Sequence, residues 1–154
     1  MLRLFILLAV VAAFPACASK GTSLVGSWKL VLDVEIDDAS GAEVPLMGKH
    51  PNGWLIFKPS GRMMALVTKE GRDDGNEKSA EDALSSMVSY TGRYHIEGNT
   101  LTTKVDAAWL EAWVGTEQKR SFELKGDQLR IMTMSQPGWN GRMQHATLTW
   151  EREK

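Results

Sequence analysis

The chain has 154 residues, room for one domain but not for a second core once an N-terminal targeting segment is set aside. Hydrophobic residues at 43% and charged residues at 24% match ordinary globular usage, which excludes a disordered chain and a body built of membrane-spanning helices. A formal net charge of -1 with acids and bases interspersed lacks the basic stripe of a nucleic-acid surface, so no nucleic-acid partner is expected.

Residues 1–18 differ from the rest: Arg3, an apolar run from Leu4 to Phe14, then the small residues Ala16-Cys17-Ala18-Ser19, the pattern of an export signal. The run falls well short of the roughly 20 residues a bilayer-spanning helix needs. Ala16-Cys17-Ala18 fits ordinary A-x-A cleavage, which discards Cys17. Alternatively Phe14-Pro15-Ala16-Cys17 resembles a bacterial lipoprotein signal, in which Cys17 carries the lipid and attaches the protein to a membrane. The expected location is the cell envelope, periplasmic or lipid-anchored, or the exterior after secretion. No cysteine follows Cys17, so the domain expected over residues 19–154 has neither a disulfide nor a thiol nucleophile.

Period-2 patterning governs the remainder of the chain. Trp28, Leu30, Leu32, Val34 and Ile36 are predicted on one face of a first strand, with Lys29, Asp33, Glu35 and Asp37 on the other. Asp38-Ala39-Ser40-Gly41 and a stretch broken by Pro45, Gly48, Pro51 and Gly53 predict a long loop, of the kind that often carries function. Trp54 to Lys58 and Arg62 to Lys69 form strands around the hairpin turn Pro59-Ser60-Gly61. Glu70 to Lys78 is a polar loop, and Ser79-Ala80-Glu81-Asp82 has the spacing of a helix start. Ala83, Leu84, Met87, Val88 and Tyr90 then recur at helical spacing, predicting one short amphipathic helix. Strands resume over 92–97, 100–107, 116–125, 128–135 and 144–152, with turns at Gly98-Asn99 and Gly126-Asp127 and a loop over 136–142. The sum is an all-β domain, an eight-stranded antiparallel up-and-down barrel with one short helix after the third strand; a barrel of that size admits one small ligand.

Several strings taken together resemble the lipocalin-like domain family, small bacterial and fungal members of the calycin barrels. They are Leu24-Val25-Gly26-Ser27-Trp28, Pro51-Asn52-Gly53-Trp54-Leu55-Ile56-Phe57, Gly61-Arg62-Met63, Tyr90-Thr91-Gly92-Arg93-Tyr94, Trp113-Val114-Gly115-Thr116-Glu117-Gln118, Arg120, Gly126-Asp127-Gln128-Leu129 and Leu148-Thr149-Trp150-Glu151-Arg152. The resemblance implies that Gly26-x-Trp28 and Arg152 close one end of the barrel, the arginine packing across the tryptophan ring through a cation–π contact. It implies a fold and not a substrate. At one point the chain departs from the family: where members commonly carry a histidine just before the residue that is Val105 here, this chain has Thr103 and Lys104.

Gln118, Arg120, Phe122 and Leu124 share a strand face, and the last two assign that face to the interior. An inward guanidinium requires an acceptor, either within the protein or on a ligand carrying a carboxylate or carbonyl oxygen. Met63, Met64, Met87, Met132, Met134 and Met143 supply either core filler or soft cavity lining. Trp54, Trp109, Trp113 and Trp139 fall near predicted loops or strand ends, where a barrel mouth would lie, and Tyr94 is a further candidate lining residue. His50, His95 and His145 have no metal-type spacing, and neither a G-x-S-x-G elbow nor a phosphate-binding glycine loop occurs, so no metal, cofactor or catalytic triad is expected. The expected partner is a small hydrophobic, and by Arg120 acidic, molecule bound by Arg120, Gln118, Tyr94, Trp54, Trp113 and Met63. Two other readings stay open: an isomerase or cyclase using Tyr94, Arg120 and Lys104, and a structural protein with a filled barrel.

Overall fold

The computed structural model describes residues 23–72, 80–137 and 141–154. Residues 1–18 with Cys17, the expected helix start at Ser79, and Trp139 lie outside them. In chain order the elements are β1 (Gly26–Asp37), β2 (Glu43–Pro45), β3 (Asn52–Phe57), β4 (Arg62–Thr68), α1 (Ala80–Ser85), β5 (Met87–Glu97), β6 (Thr100–Ala108), a 3-10 turn (Glu111–Trp113), β7 (Glu117–Lys125), β8 (Gln128–Thr133), β9 (Gln136–Pro137) and β10 (Met143–Arg152). The antiparallel order β1-β3-β4-β5-β6-β7-β8-β10 is closed by pairing of β10 with β1, giving the eight-stranded up-and-down barrel that the strand count predicts. Two short strands dock outside this ring: β2 on the second half of β1, whose first half pairs with β3, and β9 on the start of β10.

This up-and-down path gives the barrel two different ends. The tight connections at 58–61, 98–99 and 126–127 gather at one end with Trp28 and the C-terminal Arg152. The strand ends joined by the four longer connections, those after β1, β4, β6 and β8, gather at the other. That longer end is the mouth.

The closed end is packed solid. Trp28 is fully buried and its Nε1–H donates to Leu24 O at 2.8 Å. The Arg152 guanidinium lies over the Trp28 ring with its carbon 4.0 Å from the centroid, while Nη1 and Nη2 donate to Val25 O and Ser23 O at 2.8 Å each. Gly26 makes room for this: it sits at φ +136°, and a Cβ there would stand 2.9 Å from Arg152 Nη1. Leu24, Phe57, Leu129 and Trp150 fill the space beneath.

Two irregularities alter the pattern expected from period 2. The β1–β10 register slips between Leu30 and Leu32, a bulge at Val31. Before it Trp28 and Leu30 point inward; after it Leu32 opposes the outward Thr149, and Asp33 opposes Leu148 of the interior. The expected assignment of Leu32, Val34 and Ile36 to the inner face is therefore inverted, because one extra residue shifts every later side chain to the other side. The second slip lies in the β5–β6 pairing, where Thr91 opposes Ala107 and Gly92 opposes Val105, leaving Asp106 as the extra residue on β6. There β5 presses so close to β6 that a Cβ on Gly92 would come 2.1 Å from Lys104 O and 2.8 Å from its carbonyl carbon. Backbone cannot yield as a flexible side chain does, so Gly92→Ala is expected to destabilise the barrel by about 2 kcal/mol, read from the urea midpoint at unchanged slope. An unchanged midpoint would mean that the approach of the two strands is not required.

The helix is shorter than its spacing suggests. α1 ends at Ser85, and Met87, Val88 and Tyr90 belong to β5, paired with Thr68, Val67 and Ala65 of β4. Apolar residues at 83, 84, 87 and 88 suit a helix as a local pattern, but the free edge of β4 offers a full ladder of backbone hydrogen bonds and recruits the second half of the stripe.

Candidate functional site

The mouth half of the barrel is hollow. Above the packed plug lies a cavity of about 370 Å3, with a floor of Leu55, Met63 and Trp150 and walls that include Val67, Tyr90, Leu101, Ile131 and Leu148. Its rim is Leu46 and Met47 from the loop after β1, Trp109 and Trp113 from the loop after β6, and Gln136 from β9. The volume is that of a small-molecule site and the lining is mostly apolar.

Rim loops are held by specific contacts. Glu70 Oε2 accepts from the backbone N–H groups of Lys49 and His50 at 2.8 and 3.1 Å, fixing the segment that buries Met47. Trp113 stacks edge-on against both Tyr90 and Trp109, at centroid distances of 5.4 and 4.7 Å. Outside the cavity, Asp38 receives the Ser135 hydroxyl and stands 2.5 Å from His145 Nδ1; these contacts hold its carboxyl below the usual carboxylate range and tie the loops after β1 and β8 together.

β7 supplies the polar feature its alternation predicts. Gln118, Arg120, Phe122 and Leu124 stand opposite inward residues, Arg120 between Leu101 and Thr133. The guanidinium is largely withdrawn from solvent, which lowers its pKa, an effect that the nearby Tyr90 partly offsets. Its Nη2 donates to Gln118 Oε1 at 2.9 Å, its Nη1 to Lys119 O at 2.8 Å, and Gln118 Nε2 in turn donates to Thr116 Oγ1 at 3.1 Å. Among the described residues Arg120 has no carboxylate within ion-pair distance. Gln118 is thus a brace that orients the guanidinium, and its positive charge makes no ion pair among the described residues.

Two residues meet the cavity that period-2 and helical patterning place elsewhere. Tyr90 lines it, its hydroxyl pKa raised by burial. Asp33 lines it on the opposite wall, with 4% of its surface exposed, and burial together with the neighbouring Glu35 pushes its carboxyl up to about 6. Asp33 Oδ1 and Trp150 Nε1 are both sealed from solvent with no hydrogen-bond partner.

Of the six expected ligand-binding residues, Arg120, Gln118, Trp113 and Met63 line the cavity. Tyr94 does not: on the same face of β5 as Tyr90 but four residues further from the mouth, it belongs to the plug, edge-on to Phe57 at 4.9 Å, with its hydroxyl donating to Lys58 O at 3.2 Å. Nor does Trp54, which lies on the outer face of β3 beside Leu66 and is 39% exposed. Lys104 points outward, its Nζ donating to Gly115 O at 2.6 Å, so of the three residues suspected of catalysis Arg120 alone lines the cavity. Among the methionines Met47 and Met63 line the cavity, whereas Met64, Met134 and Met143 are exposed.

The lipocalin-like domain family matches residues 25–153, which takes in the plug, all eight barrel strands and the cavity. The chain belongs to that family. Two solved structures are similar to it: a lipocalin-like protein from Bacteroides uniformis ATCC 8492, 12% identical with a TM-score of 0.44, covering 86% of this chain and 100% of that one, and an uncharacterized protein from Bacteroides eggerthii DSM 20697, 14% identical with a TM-score of 0.43, covering 85% and 100%. No curated protein matches. Within a lipocalin-like barrel a hollow mouth half suits small-molecule binding, and the polar groups on its wall belong to this chain's own sequence.

Proposed function

We propose that the protein is a carrier of the cell envelope that holds one small, mostly apolar molecule in its barrel, with an acidic or carbonyl oxygen of that molecule on Arg120. The observation that carries this reading is a largely buried guanidinium on the cavity wall with no carboxylate partner among the described residues. A guanidinium withdrawn from water and left uncompensated is costly to a protein that never fills the site, and a ligand carboxylate restores both charge and hydrogen bonds. The apolar walls supply the remaining affinity by burying the rest of the ligand. Envelope location rests on the sequence of residues 1–18, and mass analysis of the mature N-terminus distinguishes a lipid on Cys17 from its removal.

The test is Arg120→Met, which keeps the apolar stem of the side chain and removes the charge. Binding of decanoate, followed by titration calorimetry, is expected to weaken about 30-fold, the scale of one lost charge-assisted contact. The melting temperature should stay level or rise, because an uncompensated charge has left the interior. Unchanged affinity would remove Arg120 from the site. Gln118→Leu should weaken binding by a smaller factor, since it loosens the guanidinium without deleting it.

A further inference from the structure

The cavity lining carries two unsatisfied polar groups, one on the floor and one on the wall above it, that neither plug nor mouth accounts for. Trp150 Nε1–H, a donor, and Asp33 Oδ1, an acceptor when ionised, are each sealed from solvent with no hydrogen-bond partner among the described residues. Their residues lie on neighbouring strands, Trp150 opposite Leu30 and Asp33 opposite Leu148, and both line the cavity. Asp33 is there only because the bulge at Val31 turns it inward; without the extra residue it would point out of the barrel. Orphaned buried groups are rare enough that each calls for an explanation, and a bulge that introduces one is a specific device. Elsewhere on the wall Arg120 is positive and needs an acceptor. Asp33 and Trp150 need the reverse, a group that gives a hydrogen to a carboxylate and takes one from an indole.

We propose that Asp33 and Trp150 form a second polar subsite that takes a hydroxyl group of the ligand, so that the cargo is a hydroxy acid or hydroxy ketone with its two polar ends held at different places on the cavity wall. This rests on the carrier reading above and narrows it. A hydroxyl is the smallest group that donates and accepts at once, and with side-chain rotations that bring Asp33 Oδ1 and Trp150 Nε1 to the cavity surface it meets both orphans together. A carboxylate could not take this place, because Asp33 and the adjacent Glu35 would repel it, so the subsite also sets the direction in which the ligand enters. An ordered water would serve the same two atoms, and the experiment separates that case from a ligand hydroxyl.

The probes are a chain-length series of ω-hydroxyalkanoates and the matching unsubstituted alkanoates, measured by calorimetry well above pH 6, where Asp33 is ionised. The best-fitting ω-hydroxyalkanoate should bind wild-type protein about tenfold tighter than its unsubstituted partner, the worth of hydrogen bonds that meet otherwise unsatisfied groups. Asp33→Leu and Trp150→Phe should each bring that ratio near one while alkanoate binding persists. Asp33→Leu alone decides the point if Trp150→Phe does not fold. Equal binding of the two series by wild type, as a resident water would give, overturns the subsite and leaves the carrier reading standing, as does a preference that survives Asp33→Leu. Failure of every member of both series to bind overturns the carrier reading and the subsite with it.

Discussion

Trp28→Ala is expected to cost about 4 kcal/mol of folding free energy, the scale of truncating a fully buried tryptophan. The ring supports three things at once. It fills the closed end, its Nε1–H satisfies Leu24 O, and its face carries the Arg152 guanidinium, which in turn satisfies Val25 O and Ser23 O. Truncation leaves a void and an unpaired carbonyl, and Arg152 loses the surface on which it rests. Arg152→Ala should cost less, about 1–2 kcal/mol, because the two carbonyls it caps lie close enough to the surface to find water. The double variant should then fall short of the sum by about 1 kcal/mol, a coupling that a double-mutant cycle on urea midpoints would reveal. Strict additivity, or a Trp28→Ala loss below about 2 kcal/mol, would show that the barrel does not depend on its plug.

The second large effect is a pH dependence that runs opposite to ordinary acid denaturation. Asp33 has a folded pKa near 6 against 3.8 for the free side chain, raised first by burial and then by Glu35. A raised carboxyl pKa means the folded state holds the proton more tightly than the unfolded chain. Below about pH 3.8 both states are protonated and the residue contributes no slope; as pH climbs from there through 6, folding is progressively penalised, and above 6 the full penalty stands. For a carboxyl raised that far the penalty is about 3 kcal/mol. Asp33→Leu removes it, so the advantage of this variant over wild type should be about 2 kcal/mol larger at neutral pH than near pH 4, where part of the penalty already stands, measured by reversible urea unfolding at both. Parallel stability curves for the two proteins would show that Asp33 is not held in the buried, unpartnered state described. If the gain is found, the wild-type protein is keeping a destabilising residue in its cavity wall, as binding sites commonly do.

The barrel was legible in the sequence because its strands alternate and its turns are punctuated by glycine with asparagine or aspartate, signals that depend on local chemistry alone. Arg120 was legible for the same reason: β7 runs without a bulge, so Phe122 and Leu124 fix the side on which Arg120 and Gln118 fall. Asp33 was missed because it lies beyond an irregularity: it reads as a solvent-facing acid until the extra residue at Val31 is counted, and the one sequence mark of that bulge is the unbroken apolar run Leu30-Val31-Leu32. Tyr90 and Tyr94 sit four residues apart on the same inner face of one strand, and only the height to which the plug fills the barrel decides that Tyr90 meets the cavity and Tyr94 the plug. Tyr90 was further hidden by a stripe that suits a helix, and only the competing edge of β4 decides that it becomes strand. Trp150 could be placed on the inner face from its strand, but whether its indole N–H has a partner depends on atoms far away in sequence.

A carrier keeps the mouth half of its barrel occupied in its working state. Native mass spectrometry of protein purified from its own host, with extraction of whatever is bound, tests this most directly. A single non-covalent adduct is expected, lost from Arg120→Met, whose extract contains an apolar molecule bearing a carboxylate or carbonyl. Repeated recovery of the bare polypeptide mass under conditions that preserve known weak complexes would contradict the carrier role.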